Sequence, residues 1–132
     1  MDASIAEYFA RVIALATSTF ERVEYITDIT PARSILRIQA SYGSYRIFVT
    51  ELFGDDIRKY RYYLLQGNRV EAGFDNSPDP RAIRLKYDRI GEHTGEHVPH
   101  LHLEDKNQLA LTEEMTFEDF VDWLRASKNL AD

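Results

Sequence analysis

The sequence predicts an α+β domain in which an antiparallel meander sheet carries an N-terminal and a C-terminal amphipathic helix on one face. Three observations favour this fold. Apolar residues recur at helical spacing near both ends of the chain. Between them lie five segments rich in β-branched and aromatic residues. The links between these segments are two to four residues long, and such short links join antiparallel neighbours because a parallel crossover needs roughly a dozen residues or more.

The first helix is predicted over residues 2–19. Ser4 is followed three residues later by Glu7, a spacing that lets the serine hydroxyl accept from the free amides of the first turn. The apolar residues recur at spacings of three and four, which places them on one side of a helix. They are Ile5, Phe9, Val12, Ile13, Ala16 and Phe20.

Five strands are predicted to follow the first helix. They span residues 21–29, 34–40, 45–53, 57–66 and 69–75. Because the side chains of a strand alternate between two faces, Tyr60 and Tyr62 of the fourth strand lie opposite Arg61 and Tyr63. This alternation predicts one face packed on the helices and a second face of mixed polar and aromatic character.

The last part of the chain is predicted to be more irregular. Proline and glycine punctuate residues 76–99, which we expect to form a long connection with one short strand at residues 83–87. Residues 100–103 are expected to form a last short strand. A final helix begins after Thr116, which caps it together with Asp119. Its apolar stripe consists of Phe117, Phe120, Val121 and Leu124.

Length and composition limit the class of protein. A chain of 132 residues, of which 44% are hydrophobic and 29% charged, is expected to form one domain over residues 1–132. The absence of cysteine excludes disulfides and thiolate metal sites. Neither a secretory leader nor a stretch of about 20 apolar residues is visible, so we expect a cytoplasmic protein with no membrane partner.

Charge is distributed unevenly along the chain. The net charge is −6, which argues against a protein whose whole surface coats nucleic acid. Residues 57–89 nevertheless hold eight basic and four acidic residues, a net charge of +4, which leaves −10 for the remainder. This basic strip favours a phosphate-bearing partner, although solvated strand faces have the same composition.

All four histidines lie within one stretch of ten residues. They are His93, His97, His100 and His102. In an extended segment His100 and His102 share a face. Three interpretations are open: a metal site completed by Asp75 or Glu51, metal-free acid–base catalysis by a histidine pair, or polar residues with only a structural role on a loop and an edge strand.

Four short motifs follow one another in the sheet and the connection after it. They are Val-Thr-Glu-Leu-Phe at 49–53, Lys-Tyr-Arg-Tyr-Tyr at 59–63, Phe-Asp-Asn-Ser-Pro at 74–78 and Pro-His-Leu-His at 99–102. With these motifs the chain resembles the TumE-type toxin family over residues 33–124. The family's pattern falls on Glu51, Tyr60, Tyr62, Asp75, Asn76, His100 and His102. The resemblance implies a growth-inhibiting toxin that is neutralised by a helix-turn-helix antitoxin encoded beside it.

The residues and the resemblance together predict a toxin with a metal-independent, ribonuclease-type site and no cofactor. His100 and His102 are expected to form the acid–base pair that acts on RNA. Asp75 is expected to orient one imidazole, and Tyr62 to contact the phosphate. The predicted substrate-binding residues are Arg61, Lys59, Asn76 and Glu51. The alternative is a non-catalytic protein- or nucleic-acid-binding module.

Overall fold

The structure is a computed structural model that describes residues 2–88 and 91–128. Its helices are α1 (Asp2–Thr19), α2 (Pro80–Tyr87) and α3 (Phe117–Ser127). Its strands are β1 (Glu21–Ile29), β2 (Arg33–Tyr42), β3 (Tyr45–Gly54), β4 (Ile57–Gln66), β5 (Arg69–Asp75), β6 (His100–Leu103) and β7 (Gln108–Leu111). A single 3₁₀ turn covers Gly91–His93.

The strands form one sheet in which each strand lies beside its neighbours in sequence, in the order β1 to β7. Every pair is antiparallel, which confirms the predicted meander. The link between β4 and β5 is the two-residue turn Gly67-Asn68, and Gly67 has a φ of +61° there. A glycine takes this left-handed conformation without the steric penalty that a side chain brings, which suits a tight hairpin.

Helices α1 and α3 pack on the same face of the sheet, as the sequence predicts. Phe9 of α1 and Phe120 of α3 are both buried in the core between the helices and the sheet. Helix α3 begins at the predicted cap, where Thr116 Oγ1 accepts from the amide of Asp119 at 3.1 Å and Asp119 Oδ2 accepts from the amide of Thr116 at 3.0 Å. Within the described ranges, none of the helices is long and apolar enough to cross a bilayer.

The strand predicted at residues 83–87 is wrong, because this segment belongs to α2. The helix begins with Asp79, whose side chain accepts from the amide of Arg81 at 2.8 Å, and with Pro80 in its first turn. Asp followed by Pro is a favourable helix start, since the carboxylate satisfies a free amide and proline has none to satisfy. Ala82 and Ile83 are buried against Val98.

The segment predicted as the last strand is the sixth of seven. A further strand, β7, pairs with β6 in a hairpin. The turn between them contains Glu104, Asp105 and Lys106, all with positive φ. Asp105 exchanges hydrogen bonds with the backbone of Val70, so the hairpin turn is attached to the start of β5.

The register of the sheet aligns residues from neighbouring strands in transverse rows. One row contains Arg37, Thr50, Arg61, Asp75 and His100. The next contains Gln39, Phe48, Tyr63, Gly73 and His102. Both rows lie on the face opposite α1 and α3, and over β1–β4 we call this the open face. Near β7 the same side of the sheet is covered by α2, which packs against Leu109.

Candidate functional site

Asp75, His100 and His102 come together at the junction of β5 and β6. In this antiparallel pair Asp75 lies opposite His100, and Gly73 lies opposite His102. Alternation along both strands then places the three polar side chains on one face. One potential ligand atom from each residue lies within 4.8 Å of the others, and all three residues are buried. The sequence predicted the shared face of the two histidines, and Asp75 was expected to orient one of their imidazoles.

The two imidazoles contact each other directly. Their Nε2 atoms are 3.2 Å apart, and His100 Nδ1 lies 2.6 Å from the carbonyl oxygen of Val98. A carbonyl oxygen only accepts, so His100 Nδ1 carries a proton and, in the neutral ring, Nε2 has the lone pair. His102 Nδ1 is buried and has no hydrogen-bond partner in the described parts of the chain. Burial, followed by the charge of His100, lowers the pKa of His102 to about 4.

Three groups hold the Asp75 carboxylate in place. Oδ1 accepts from the amide of Ser77 at 2.6 Å, and Oδ2 accepts from the hydroxyl of Tyr63 at 3.2 Å. Arg61 Nε lies 3.4 Å from Oδ2. Burial alone would raise the pKa of Asp75, but the hydrogen bonds from Ser77 and the charge of Arg61 outweigh it, so the pKa lies below its ordinary value. Asp75 is therefore a fixed negative charge beside the two imidazoles.

Tyr63 reaches Asp75 because Gly73 leaves room for its ring. A Cβ atom at Gly73 would lie 2.7 Å from Cε1 of Tyr63, which is closer than a Cβ atom comes to a nonbonded atom in proteins. The ring thus occupies the space of the missing side chain, with its centroid 6.3 Å from that of His102. Burial and the charge of Asp75 raise the pKa of Tyr63, so its hydroxyl stays a hydrogen-bond donor.

Cationic side chains surround the cluster. Lys106 Nζ lies 5.1 Å from the centre of the Tyr63 ring, and Arg81 donates to the carbonyl oxygen of Lys106 at 2.9 Å. These residues, Arg61 and the Asp75–His100–His102 cluster line a polar pocket of about 230 Å³, together with Asp79. The site residues predicted from the sequence do not include Arg81 and Lys106, and they include Tyr62 in place of Tyr63. The strand face that Tyr63 shares with Arg61 was the signal that favoured Tyr63.

Tyr62 and Glu51 do not belong to this site. Both lie on the opposite face of the sheet, where the Tyr62 hydroxyl donates to Glu51 Oε2 at 3.0 Å. Tyr8 of α1 donates to the same carboxylate at 2.8 Å, and Arg58 Nε lies 3.3 Å from it. The expectation that Tyr62 joins Arg61 at the phosphate is wrong, because consecutive strand residues face opposite sides. Burial, and then the charge of Glu51, raises the pKa of Tyr62.

Asn76 and Lys59 have different surroundings. The Asn76 side chain accepts from the amide of Tyr60 at 3.0 Å and donates to the carbonyl oxygen of Arg58 at 2.9 Å. These bonds continue the pairing of β4 and β5 beyond Asp75, so Asn76 positions the carboxylate and is buried away from a substrate. Lys59 is exposed on the open face, next to the row of Arg61.

The other two histidines lie apart from the cluster. His93 contacts Glu96, and its ring stacks on Tyr87 with centroids 3.7 Å apart. His97 Nδ1 donates to the carbonyl oxygen of Asn76 at 3.1 Å. The four histidines of the sequence therefore do not form one site, and His93 is a suitable control position for His102.

A larger cleft, of about 440 Å³, lies between α1 and the loops that join β1 to β2 and β3 to β4. Its lining includes the charged residues Arg33, Asp55, Asp56 and Arg58. Among the described residues, however, no imidazole lines it, whereas two line the smaller pocket. Chemistry rather than size therefore makes the pocket at Asp75 the candidate site.

The chain matches none of the protein-family models, curated proteins or solved structures with which it was compared. The resemblance to the TumE-type toxins thus rests on the four motifs in the sequence. The arrangement itself defines a class of site: two imidazoles and a carboxylate in a pocket edged by cations. Such a site can transfer protons or hold a cation, and its edge can bind an anionic group.

Proposed function

We propose that this protein is the toxin of a toxin–antitoxin pair, and that it binds RNA along the open face and cleaves it at the Asp75–His100–His102 cluster. The observation that carries the proposal is the transverse row in which Arg37 and Arg61 lead to Asp75 and His100. The row connects exposed cations to buried groups that can move protons. A helix-turn-helix antitoxin, implied by the motif resemblance, is the expected protein partner.

Over β2–β4 the open face combines cations with an aromatic side chain, as surfaces for single-stranded nucleic acid do, whereas β1 adds the exposed Glu24 and Asp28 at its edge. Its exposed cations are Arg33, Arg37, Arg46, Lys59 and Arg61. Among them lies Phe48, a partly exposed aromatic side chain on which a base can stack. Adjacent strands are about 4.8 Å apart, so Arg37 and His100 are separated by about 19 Å across the sheet. This distance lets one strand of RNA contact the cations while a phosphate enters the pocket.

The pocket supplies what cleavage of an RNA strand needs. Arg61 and Lys106 place positive charge where the phosphate enters. A neutral imidazole can take the proton of a ribose 2′-hydroxyl, whose oxygen then attacks the adjacent phosphorus, and the imidazole pair gives a proton to the 5′-oxygen as its bond to phosphorus breaks. The two Nε2 atoms are only 3.2 Å apart. The imidazoles therefore contact the phosphate at one place and do not flank it on the sides of the attacking 2′-oxygen and the leaving 5′-oxygen.

Removing Arg37 and Lys59 together is expected to weaken RNA binding and to reduce its dependence on salt. Each lost phosphate contact lowers the slope of log K against log salt by about 0.7 for a single strand, so the double alanine variant should lower it by about 1.4. The measurement is a salt titration of fluorescent RNA binding in EDTA. The matched control removes Arg11 and Arg125, exposed cations on the helix side. An equal loss in both double variants would contradict the assignment of the open face.

Expression of the chain in a bacterial host is expected to stop growth, and co-expression of the helix-turn-helix protein encoded beside it should restore growth. His102→Ala should abolish growth inhibition while RNA binding persists, because it removes a group of the cleavage site. His93→Ala, outside the cluster, should remain toxic. If His102→Ala binds RNA and inhibits growth like the unmodified chain, the protein is a binding module without catalysis. If the unmodified chain leaves growth unchanged, the toxin proposal is wrong.

A further inference from the structure

Two features of the histidine pair suit metal binding as well as proton transfer. Each Nε2 atom faces the other at 3.2 Å, so two lone pairs meet unless a proton or a cation lies between them. The Nδ1–H of His100 donates to the carbonyl oxygen of Val98, which directs the Nε2 lone pair of that ring into the pocket. A backbone carbonyl in this position is the usual outer partner of a metal-binding histidine, because it fixes the tautomer.

The distances suit a transition-metal ion. Zinc binds imidazole nitrogen at about 2.0–2.1 Å, so two imidazoles on a tetrahedral ion have nitrogens about 3.3 Å apart. The Nε2 atoms of His100 and His102 already have this separation. The carboxylate of Asp75 is the third donor, with all three ligand atoms within 4.8 Å of one another. Imidazole donors favour a divalent transition metal over Mg²⁺ or Ca²⁺, which prefer oxygen ligands only.

We propose that Asp75, His100 and His102 form a binding site for one divalent transition-metal ion. Three protein donors leave a coordination position open, as in catalytic rather than structural sites. Arg61 and Lys106 lie at the same pocket, where an anionic phosphate can bridge them and the ion. The catalytic meaning of this site rests on the proposed function, and metal binding is an alternative there to acid–base catalysis by a free imidazole, because both Nε2 atoms would be ligands. An ion at this point would supply a Lewis acid for the phosphate.

The test is a metal titration in the absence of RNA. Tag-free protein is treated with EDTA, dialysed, and titrated with Zn²⁺ by calorimetry and with Co²⁺ by visible absorption. The expected result is one equivalent of each ion and a d–d spectrum of low coordination number for Co²⁺. His102→Gln and Asp75→Asn should each weaken binding at least tenfold, whereas the matched control His93→Gln should bind as the unmodified chain does. Circular dichroism confirms that each variant is folded.

If His102→Gln and Asp75→Asn fail to fold, metal binding can still be tested on the unmodified chain. Nitrogen-15 spectra of the imidazoles should show Zn²⁺ shifting the Nε2 resonances of two histidines, with the other two histidines unchanged. The proposal is overturned if no saturable equivalent is bound, if His93 and His97 shift instead, or if both folded variants bind like the unmodified chain. RNA binding is measured in EDTA, so failure of this site and failure of the proposed RNA surface are distinguished.

Discussion

Replacing Arg58 by methionine is expected to lower the free energy of unfolding by about 3–5 kcal/mol, the usual loss when one partner of a buried ion pair is removed. The carboxylate of Glu51 is fully buried, and Arg58 Nε lies 3.3 Å from it with only 17% of the arginine side chain exposed. Tyr8 and Tyr62 still donate to Glu51 in the variant, but they bring no charge. Arg58 also donates to the carbonyl oxygen of Met115 at 2.7 Å, and this contact before α3 is lost as well.

Urea unfolding of the unmodified chain and the variant gives the difference. Lys59→Met, next to Arg58 but exposed on the open face, is the matched control and should change stability by less than about 0.5 kcal/mol. The double variant Glu51→Gln, Arg58→Met should be more stable than Arg58→Met alone, because the unpaired charge is then removed. A loss below about 1 kcal/mol for Arg58→Met would mean that water screens Glu51 as it does a surface pair.

Phe120→Ala is expected to cost about 3–5 kcal/mol of the free energy of unfolding, because a large apolar side chain is removed from a closed core. The ring of Phe120 is 0% exposed and stacks on Tyr62 at a centroid distance of 5.5 Å. It also meets Phe74 edge-on at 6.1 Å, so it joins α3 to both β4 and β5. The truncation therefore loses transfer free energy and leaves a cavity between helix and sheet.

The control for Phe120→Ala is an apolar helix residue that the fold leaves in solvent. Leu85 of α2 is 57% exposed, and Leu85→Ala should change stability by less than about 0.5 kcal/mol. Chemical unfolding of both variants under one set of conditions makes the comparison. Losses of similar size at the two positions would show that α3 does not close the core in the way described.

The sheet and its two terminal helices were predictable because local patterns and the core impose the same periodicity. The incorrect prediction of a strand at residues 83–87, which belong to α2, shows where local pattern and tertiary packing differ. Ile83, Leu85 and Tyr87 alternate with Arg84 and Lys86, which is the pattern of a strand. The helix forms because Asp79-Pro80 starts it and Ile83 packs into a small second core, while Leu85 is left exposed on the other side. The helix start at Asp79-Pro80 and the packing of Ile83 therefore outweighed the short alternation of apolar and basic residues.

The site was predictable in its histidines and not in its surroundings. The shared face of His100 and His102 follows from alternation alone, and so should the choice of Tyr63 over Tyr62, because Tyr63 lies on the face of Arg61. Lys106 could not be placed in the same way. Its position depends on three consecutive residues with positive φ in the β6–β7 turn, a conformation that no sequence period encodes.

The meander has a consequence for how the chain folds as it is synthesised. Every strand pairs with the strand made just before it, and each pairing except that of β5 with β6, which are separated by residues 76–99, closes a short loop at a small entropic cost. Phe20, the residue after α1, packs edge-on against Phe117 of α3, so this contact joins segments far apart in the sequence and is expected to form after the strands pair. Until α3 docks, Tyr62 and Phe74 lack their cover on the helix side. A folding intermediate in which the strands have paired but α3 has not docked is therefore expected to expose Tyr62 and Phe74, and with them a surface prone to aggregation.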